Sequence, residues 1–272
     1  MNIPENDRAA WLYGPRAKCR PAFAPKAAPW RVVLLGPPGV GKGTQATLLS
    51  RYIGACNLST GEVFRAARAW HDRTRSPVMA DALECMCQGR LVPDEIVWQM
   101  VCERVRCLRC PGGFVLDGFP RTLAQADSLR KLMEQEKLKL DAVVNFVLPA
   151  EEIVARLSGR RTCGRCKAIF HLILQPSRLQ NICDHCGGGL YQREDDHPES
   201  IAVRLDAYEK STAPLIQFYR NLGLLVAIVA TGSPREVFER TVTDLEARSA
   251  AFMTAEPPRL SRLVNSEEKI HG

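Results

Sequence analysis

Residues 32–44 read VVLLGPPGVGKGT, and this stretch decides the fold. A short apolar, β-prone run passes directly into a glycine-rich turn and then into a helical pattern that starts at Lys42. Glycines in such a turn let backbone N–H groups converge on phosphate oxygens, and the helix N-terminus and the lysine add positive charge. The stretch predicts a strand, a phosphate-binding loop and a helix. The Ser or Thr that usually follows the lysine is displaced to Thr44 by Gly43.

Short apolar runs alternate with longer helical patterns along the rest of the chain. Runs that are apolar on both faces and separated by helices indicate a parallel sheet covered on both sides. The predicted strands are residues 32–35, 56–58, 114–116, 143–148 and 224–229. The predicted helices are residues 42–52, 94–106, 123–136, 150–157, 200–221 and 234–248. We expect an α/β fold with a five-stranded parallel sheet, interrupted by a helical excursion at 59–89 and a Cys- and Arg-rich one at 160–191.

The composition is that of a globular protein, and the two terminal segments differ from the rest of the chain. The 272 residues are 46% hydrophobic and 25% charged, with a net charge of +7. The chain contains no apolar run of the roughly 18 residues that a membrane-spanning helix needs, so we expect no membrane partner. Residues 1–30 carry five basic and two acidic residues and lack the apolar core of a signal peptide. We expect residues 1–30 and 249–272 to be flexible extensions.

The cysteines predict a metal site. Their number, eleven, is odd in a long chain, which favours a reduced, cytoplasmic setting with metal ligands over a paired secreted framework. Cys163 and Cys166 are followed, after sixteen intervening residues, by Cys183 and Cys186, which is the spacing of a four-cysteine zinc site. Because protein ligands fill all four positions, the zinc is expected to be structural.

The remaining candidate ligands are expected to be bystanders. Cys107 and Cys110 have knuckle spacing, but no second pair of matching spacing accompanies them, so buried or idle thiols are the expectation. The same holds for Cys85, Cys87 and Cys102. His171 and His185 lie near the four zinc-type cysteines in sequence, and we expect surface or stacking roles for them.

Charge and a strand-end acid point to phosphate chemistry. Residues 156–193 hold seven basic residues against one acidic residue, Asp184. Asp117 ends the predicted strand at 114–116, where an acid beside a phosphate-binding loop usually holds Mg2+ directly or through water.

The ordered motifs resemble the adenylate kinase family. Gly43-Thr44 is that family's variant of the loop, and the match continues through LSTGEVFR at 58–65, GRLVPDE at 89–95 and DGFPRT at 117–122. It resumes at QREDD, residues 192–196, at Arg204 and at TAPL, residues 212–215. The resemblance spans roughly residues 31–245. It implies an enzyme that converts MgATP and AMP to two ADP, with Mg2+ as cofactor.

The resemblance also implies a three-part body. A P-loop NTPase-like core would comprise residues 31–58, 90–156 and 196–248. An insert at 59–89 would bind the nucleoside monophosphate, and a mobile zinc lid would comprise residues 157–195. We expect a cytoplasmic monomer whose partners are ATP, AMP and ADP, without nucleic acid.

The family's motif positions assign the site residues. Arginine suits this chemistry because it stays charged and its fork binds two phosphate oxygens. The residues expected to bind ATP are Gly39, Val40, Gly41, Lys42, Gly43, Thr44, Arg156, Arg160, Ile169, Phe170 and Ser233. Those expected to bind AMP are Thr60, Gly61, Arg65, Arg90, Leu91, Val92, Gly118, Phe119, Pro120, Arg121, Gln125, Arg193 and Arg204. The expected catalytic charges are Lys42, Arg121, Arg156, Arg193 and Arg204. Magnesium is expected at Asp117 and Thr44, through water.

Acceptor selectivity is predicted at two positions. Thr60 and Gln125 fall where the family reads adenine, and similar kinases acting on pyrimidine monophosphates usually carry Ala at the Thr60 position and a short lid. Both features favour AMP. The segment 230–234 lacks the Asp that many relatives have at its start, which weakens the ATP contact assigned to Ser233.

Two alternatives remain at the level of sequence. A zinc-ribbon nucleic-acid binder with a regulatory P-loop would use the basic four-cysteine segment, although that segment offers only Phe170 and Tyr191 as obvious stacking aromatics. A GTP-dependent or pyrimidine monophosphate kinase would share most of the motifs.

Overall fold

The computed structural model describes Trp11 and residues 29–68, 77–88 and 90–254. The strands are β1 (Trp30–Leu35), β2 (Cys56–Ser59), β3 (Gly113–Asp117), β4 (Ala142–Val147), β5 (Arg160–Cys163), β6 (Ile169–His171), β7 (Leu190–Tyr191) and β8 (Leu225–Val229). The helices are α1 (Lys42–Ile53), α2 (Thr60–Arg68), α3 (Pro77–Cys87), α4 (Asp94–Glu103), α5 (Val105–Leu108), α6 (Leu123–Gln135), α7 (Ala150–Ser158), α8 (Pro198–Ala207), α9 (Pro214–Asn221) and α10 (Pro234–Thr254). A 3-10 turn covers Glu194–Asp196, and a π-helical turn covers Tyr208–Thr212.

The main sheet has five parallel strands in the order β2-β3-β1-β4-β8, which confirms the predicted α/β class. Asp117 is in register with Leu34 on one side and with Ser59 on the other. The carboxyl ends of β1, β2 and β3 therefore meet at one edge of the sheet, where the loops that follow them come together.

Alternate residues of each central strand face opposite sides of the sheet. Val33 and Leu35 belong to one buried cluster, and Val32 and Leu34 belong to the other. Val115 of β3 likewise faces the second cluster. Burial on both faces explains why these strands read as continuous apolar runs.

Two predicted helices are broken. The run predicted at 94–106 divides at Arg104 into α4 and α5. The run predicted at 200–221 divides into α8, the π-helical turn and α9. Pro214 begins α9 and has no N–H to continue an α-helical ladder, which accounts for the second break.

The Cys- and Arg-rich excursion forms a separate three-stranded antiparallel sheet in the order β6-β5-β7. Its small core contains Cys163, Phe170 and Cys183. His171 Nε2 lies 3.2 Å from Ala155 O and so links this sheet to α7, while its Nδ1 accepts the nearby N–H groups of Ile173 and Leu174 at 3.0 Å.

A few described residues lie within the two predicted extensions. Trp11 lies within the segment predicted to be flexible, yet it is 0% exposed and belongs to the first core cluster. Arg104 Nε donates a hydrogen bond of 2.6 Å to Trp11 O. At the other end, α10 continues to Thr254, so the first residues predicted as a tail are helical. Trp30 already belongs to β1, and residues 1–10, 12–28 and 255–272 lie outside the described part of the chain. Among the described helices, none combines the length and apolarity that crossing a membrane requires.

Candidate active site

The phosphate loop joins β1 to α1 at the carboxyl edge of the sheet. Gly39 and Gly41 have φ angles of 83° and 102°, which lie in the left-handed region that favours glycine. A Cβ on Gly39 would also lie 2.7 Å from Leu157 Cγ, so a side chain there would force α7 away. The sequence folds this way because only glycine fits both requirements.

Lys42 opens α1 and points back into the loop. Its Nζ donates hydrogen bonds to Gly36 O at 2.6 Å and Pro37 O at 2.8 Å. The ammonium group is thus held by the loop carbonyls, in the position from which it would reach phosphate oxygens.

The electrostatic surroundings of Lys42 show which charges share its cleft. Burial lowers the pKa of Lys42 to about 7, nearby arginines lower it as well, and a carboxylate opposes them. The charged groups that act on Lys42 are Asp117, Arg121, Arg204 and Arg160. Residues from three separate parts of the chain therefore act on one ammonium group.

Asp117 lies beside the loop, because it is in register with Leu34, two residues before Gly36. A Cβ built on Gly43 would lie 3.6 Å from Asp117 Oδ2, and Ser59 Oγ donates to the same oxygen at 3.3 Å. Thr44 follows in the first turn of α1. The carboxylate and this hydroxyl residue are the parts of the loop region suited to a hydrated divalent cation.

A small pocket lies at the carboxyl ends of β2 and β3, next to Asp117. Its lining residues are Thr60, Gly61, Phe64, Met86, Leu91, Val92, Val97, Gly118, Arg121 and Gln125. Seven of these were predicted as AMP-binding residues, and the apolar walls Phe64, Met86 and Val97 were missed. Apolar residues on amphipathic helices look the same in sequence whether they face a core or a ligand.

Polar contacts within the pocket fix its shape. Thr60 Oγ1 donates to Gly118 O at 2.9 Å. Gln125 Oε1 accepts the Arg121 N–H at 2.8 Å, and its Nε2 donates to Asp94 Oδ1 at 2.6 Å. Asp94 thus orients the amide that was predicted to read adenine. Sequence reasoning missed this role, because an acid in the first turn of a helix is common for other reasons.

Arg160 and Arg204 share one carboxylate. Asp196 is 0% exposed and accepts hydrogen bonds from Arg160 Nε at 2.7 Å and Arg204 Nη1 at 3.1 Å. Arg204 also donates to Asp195 O at 2.7 Å, and burial lowers its pKa. Arg193 Nε donates to Thr162 Oγ1 at 2.9 Å. The sequence motif contained Asp196, but its organising role emerges only from the contacts.

Arg156 lies next to the segment predicted to cup the ATP adenine. Its Nη2 donates to Ala230 O at 3.0 Å. The Ser233 N–H donates to Glu236 Oε2 at 2.7 Å and its carbonyl accepts the Val237 N–H, while its ATP contact stays a prediction. The backbone groups assigned to ATP at Ser233 thus serve the start of α10.

Several other predicted residues lie away from the pocket surface. Phe119 is fully buried, and Arg90 is exposed without lining the pocket. Phe170 packs among the lid cysteines, 5.8 Å from the His185 ring, so its side chain belongs to the lid core, whereas Ile169 is exposed. The side chain of Arg65 lies outside the described residues.

The four predicted zinc ligands converge. Their sulfur atoms all lie within 4.8 Å of one another, with Cys163 and Cys186 at 3.5 Å and Cys166 and Cys183 at 3.5 Å. A zinc tetrahedron with metal–sulfur bonds of about 2.3 Å has sulfur–sulfur edges of about 3.8 Å. The N–H groups of Arg165 and Cys166 donate to Cys163 Sγ, which suits a thiolate. The donor set therefore fits a structural zinc ion.

The comparison with known proteins decides the family. The family model described as adenylate kinase matches residues 34–224. The chain belongs to the adenylate kinase family. A relative named adenylate kinase from Carboxydothermus hydrogenoformans is 46% identical over 208 residues, which are 76% of this chain and 95% of the relative. One from Archaeoglobus fulgidus is 44% identical, covering 79% and 97% of the two chains. One from Streptomyces coelicolor is 43% identical, covering 79% and 98%.

The adenylate kinase match includes most of the cleft, but not β8 or the segment 230–234. It begins within β1 and runs past α9, and therefore includes the loop, the pocket, the arginines and the four cysteines. Trp11 and α10 lie outside the matched range. The sequence-based family assignment is confirmed.

Proposed function

We propose that this chain catalyses reversible phosphoryl transfer from MgATP to AMP, giving two ADP, and thereby maintains adenine nucleotide balance. The observation that carries the proposal is the cluster of Lys42, Asp117 and three arginines, beside a pocket lined by Thr60, Arg121 and Gln125. Phosphoryl transfer needs charge neutralisation and in-line positioning more than covalent help from the protein. This cluster and pocket supply both.

The loop side would hold ATP. Backbone N–H groups of residues 39–44 would surround its phosphates, and Lys42 would exchange its contacts with Gly36 O and Pro37 O for phosphate oxygens. Arg160 would approach the phosphates from the lid, and Arg156 would flank the adenine ring. Arg156 belongs to α7 and Arg160 begins β5 just after it, and α7 packs against the loop through Leu157.

The pocket side would hold AMP. Its phosphate would bind Arg65 and Arg121, and Thr60 and Gln125 would recognise adenine, Gln125 being oriented by Asp94. A polar site that pairs with a base edge rejects bases lacking the matching groups. The lining thus supports adenine over a pyrimidine base.

The transferring group would lie between the two sites. Arg193 and Arg204 would bridge it, and both are preorganised by contacts with the protein. Preorganised charges stabilise a transition state without reorganising at the moment of reaction. Excluding water from this group would also prevent hydrolysis of ATP.

Two metal ions complete the proposal. Mg2+, held by Asp117 and Thr44 through water, would neutralise charge on the ATP phosphates when bound. Zinc, held by Cys163, Cys166, Cys183 and Cys186, would stabilise the lid fold. We also propose the division into core, insert at 59–89 and lid at 157–195, a monomer, and a cytoplasmic location.

One assay panel tests the function. Purified protein with Mg2+ is expected to form ADP from ATP and AMP, faster than with GTP as donor or with CMP or UMP as acceptor. No turnover with ATP and AMP would contradict the proposal. Faster turnover with CMP or UMP would replace it with a pyrimidine monophosphate kinase. Salt-sensitive nucleic-acid binding without turnover would favour the zinc-ribbon alternative.

A further inference from the structure

Two cysteines outside the lid lie side by side at the amino ends of β2 and β3, whereas the active site lies at the carboxyl ends of these strands. Cys56 begins β2, and Cys110 lies in the turn that leads into β3. The register pairs Cys56 with Phe114, near the amino end of β3. The two residues therefore stand immediately before and after the helices that carry the acceptor pocket.

The geometry brings the two thiols into contact. Cys56 Sγ donates to Cys110 Sγ at 3.2 Å, and both residues are reduced in the structure. Cys56 is buried, whereas Cys110 is partly exposed. Cys110 is thus accessible to a small oxidant, and the buried Cys56 is in contact with it.

The surroundings favour reaction at Cys110. The hydrogen bond from Cys56 lowers the pKa of the Cys110 thiol, against the effect of burial, and the backbone N–H of Gly112 lowers it too. The thiolate is the reactive form of cysteine. A low-pKa, accessible cysteine beside a second cysteine is the arrangement found in redox-sensing pairs.

We propose that Cys56 and Cys110 are a redox modification site at which a hydroperoxide forms an intramolecular disulfide. The Cys110 thiolate attacks the peroxide oxygen and becomes a sulfenic acid, and the peroxide leaves as an alcohol, or as water from hydrogen peroxide. The Cys56 thiol then displaces the sulfenic oxygen, which leaves as water. The two thiols lose two protons and two electrons in total, and the peroxide gains them.

The disulfide would join the two ends of the segment that contains the helices of the acceptor pocket. It closes the loop from Cys56 to Cys110, which contains α2 to α5. A covalent link across such a loop stabilises the fold by restricting the unfolded chain. Because the bridge lies at the amino ends of β2 and β3, it leaves Thr60 and Asp117 in place, so turnover should change little.

Tryptic mapping of the full-length, zinc-supplemented protein tests the proposal. Cleavage after Arg51, Arg65, Arg109 and Arg121 places Cys56 on peptide 52–65 and Cys110 on peptide 110–121. After hydrogen peroxide treatment and without reductant, these peptides are expected to appear joined and lighter by two hydrogen atoms. The oxidised protein is expected to melt about 5 °C higher than the reduced protein.

Matched variants separate this pair from the other cysteines. Cys110→Ser and Cys56→Ser are expected to lose the joined peptide and the rise in melting temperature, whereas Cys102→Ser keeps both. Cys107 falls on the separate peptide 107–109, so a bridge from Cys107 to Cys110 or to Cys56 would be visible and would overturn the assignment. The proposal also fails if the wild-type protein gives no joined peptide while its exposed thiols become oxidised.

Discussion

Lys42 shows how a single residue is prepared for a ligand. Its ammonium group is held by two loop carbonyls, and burial lowers its pKa to about 7. Phosphates would replace the carbonyls and bring negative charge. Binding of a phosphate group should therefore raise the pKa of Lys42 and return it to the protonated form.

This predicts proton uptake on nucleotide binding. At pH 8 the free protein should hold Lys42 mostly neutral, and MgATP binding should raise its pKa and take up close to one proton. At pH 6 the uptake should vanish, because Lys42 is already charged. Calorimetry of MgATP binding in buffers of different ionisation enthalpy measures the uptake. Lys42→Met should show none at either pH, and equal uptake in this variant would assign the proton elsewhere.

Arg121 provides a second test at this scale. Arg121→Ala should lower kcat about 100-fold or more, because a preorganised charge next to the reacting group is lost. Steady-state kinetics with ATP and AMP measures the effect. Arg130→Ala, on the outer side of α6 where it pairs with Asp127 and Glu134, is the matched control and should leave kcat near normal. Near-normal turnover of Arg121→Ala would contradict its assigned role.

Residue identities were predictable, but several side-chain roles were not. Local spacing indicated Lys42 and Asp117, because the chemistry requires those residue types next to a strand end. Asp94 and Asp196 gain their roles from partners 31 and 36 positions away, Gln125 and Arg160. Sequence periodicity carries no information about such contacts. Ser233 and Glu236 form a capping box at the start of α10, and the ATP contact of Ser233 stays a prediction.

At the scale of elements, the lid depends on its cysteine cluster. Its buried core contains little besides Cys163, Phe170 and Cys183, so metal ligation should provide much of its stability. The strands of this sheet are two to four residues long, which is too short for independent stability.

Zinc removal should therefore loosen the lid. Metal analysis of the purified protein should give one zinc per chain, and removing it should lower the melting temperature and expose residues 157–195 to proteolysis. Cys166→Ser should behave like the stripped protein, and Cys102→Ser should not. If the protein melts unchanged with zinc shown to be absent, the structural-zinc proposal fails.

The 3-10 turn at Glu194–Asp196 links the lid to the core. Asp196→Asn should cost about 2–3 kcal/mol of unfolding free energy, since Arg160 and Arg204 lose a shared buried counter-charge. Asp195→Asn, which removes a more exposed partner of Arg204, should cost under about 1 kcal/mol. Urea denaturation measures both. Equal losses would mean that Asp196 has no special organising role.

The strands of the main sheet could be predicted more accurately than the breaks within the helices. All five strands of the main sheet lie within two residues of their predicted limits, because strands buried on both faces have a strong apolar signature. The breaks at Arg104 and around Tyr208–Thr212 were not predicted. Arg104 has helical propensity, and its break coincides with the long-range contact to Trp11.

At the scale of the whole molecule, the N-terminal segment contributes to the core. Trp11 is buried in the same core cluster as Val33 and Leu35, and its carbonyl accepts a hydrogen bond from the buried Arg104. Composition predicted only a flexible extension, because a single anchoring residue leaves no periodic pattern.

Removing this anchor should destabilise the whole protein. Trp11→Ala should cost about 3 kcal/mol of unfolding free energy, through the lost apolar contacts and the cavity left behind. Trp11→Phe, which keeps much of the buried surface, should cost less. Chemical denaturation of both variants and of a chain beginning at Pro29 gives the comparison. A shortened chain as stable as the full-length protein would show that Trp11 contributes nothing.

The common direction of the strands in the main sheet has a consequence for how such a protein can evolve. The helical excursion leaves from the carboxyl end of β2, and the lid leaves after α7, while the strand register is set by burial on both faces. Either excursion can therefore be lengthened, shortened or exchanged without shifting the register that places Asp117 beside Lys42. Substrate preference and metal dependence can diverge in separate lineages while the phosphate-handling centre stays fixed.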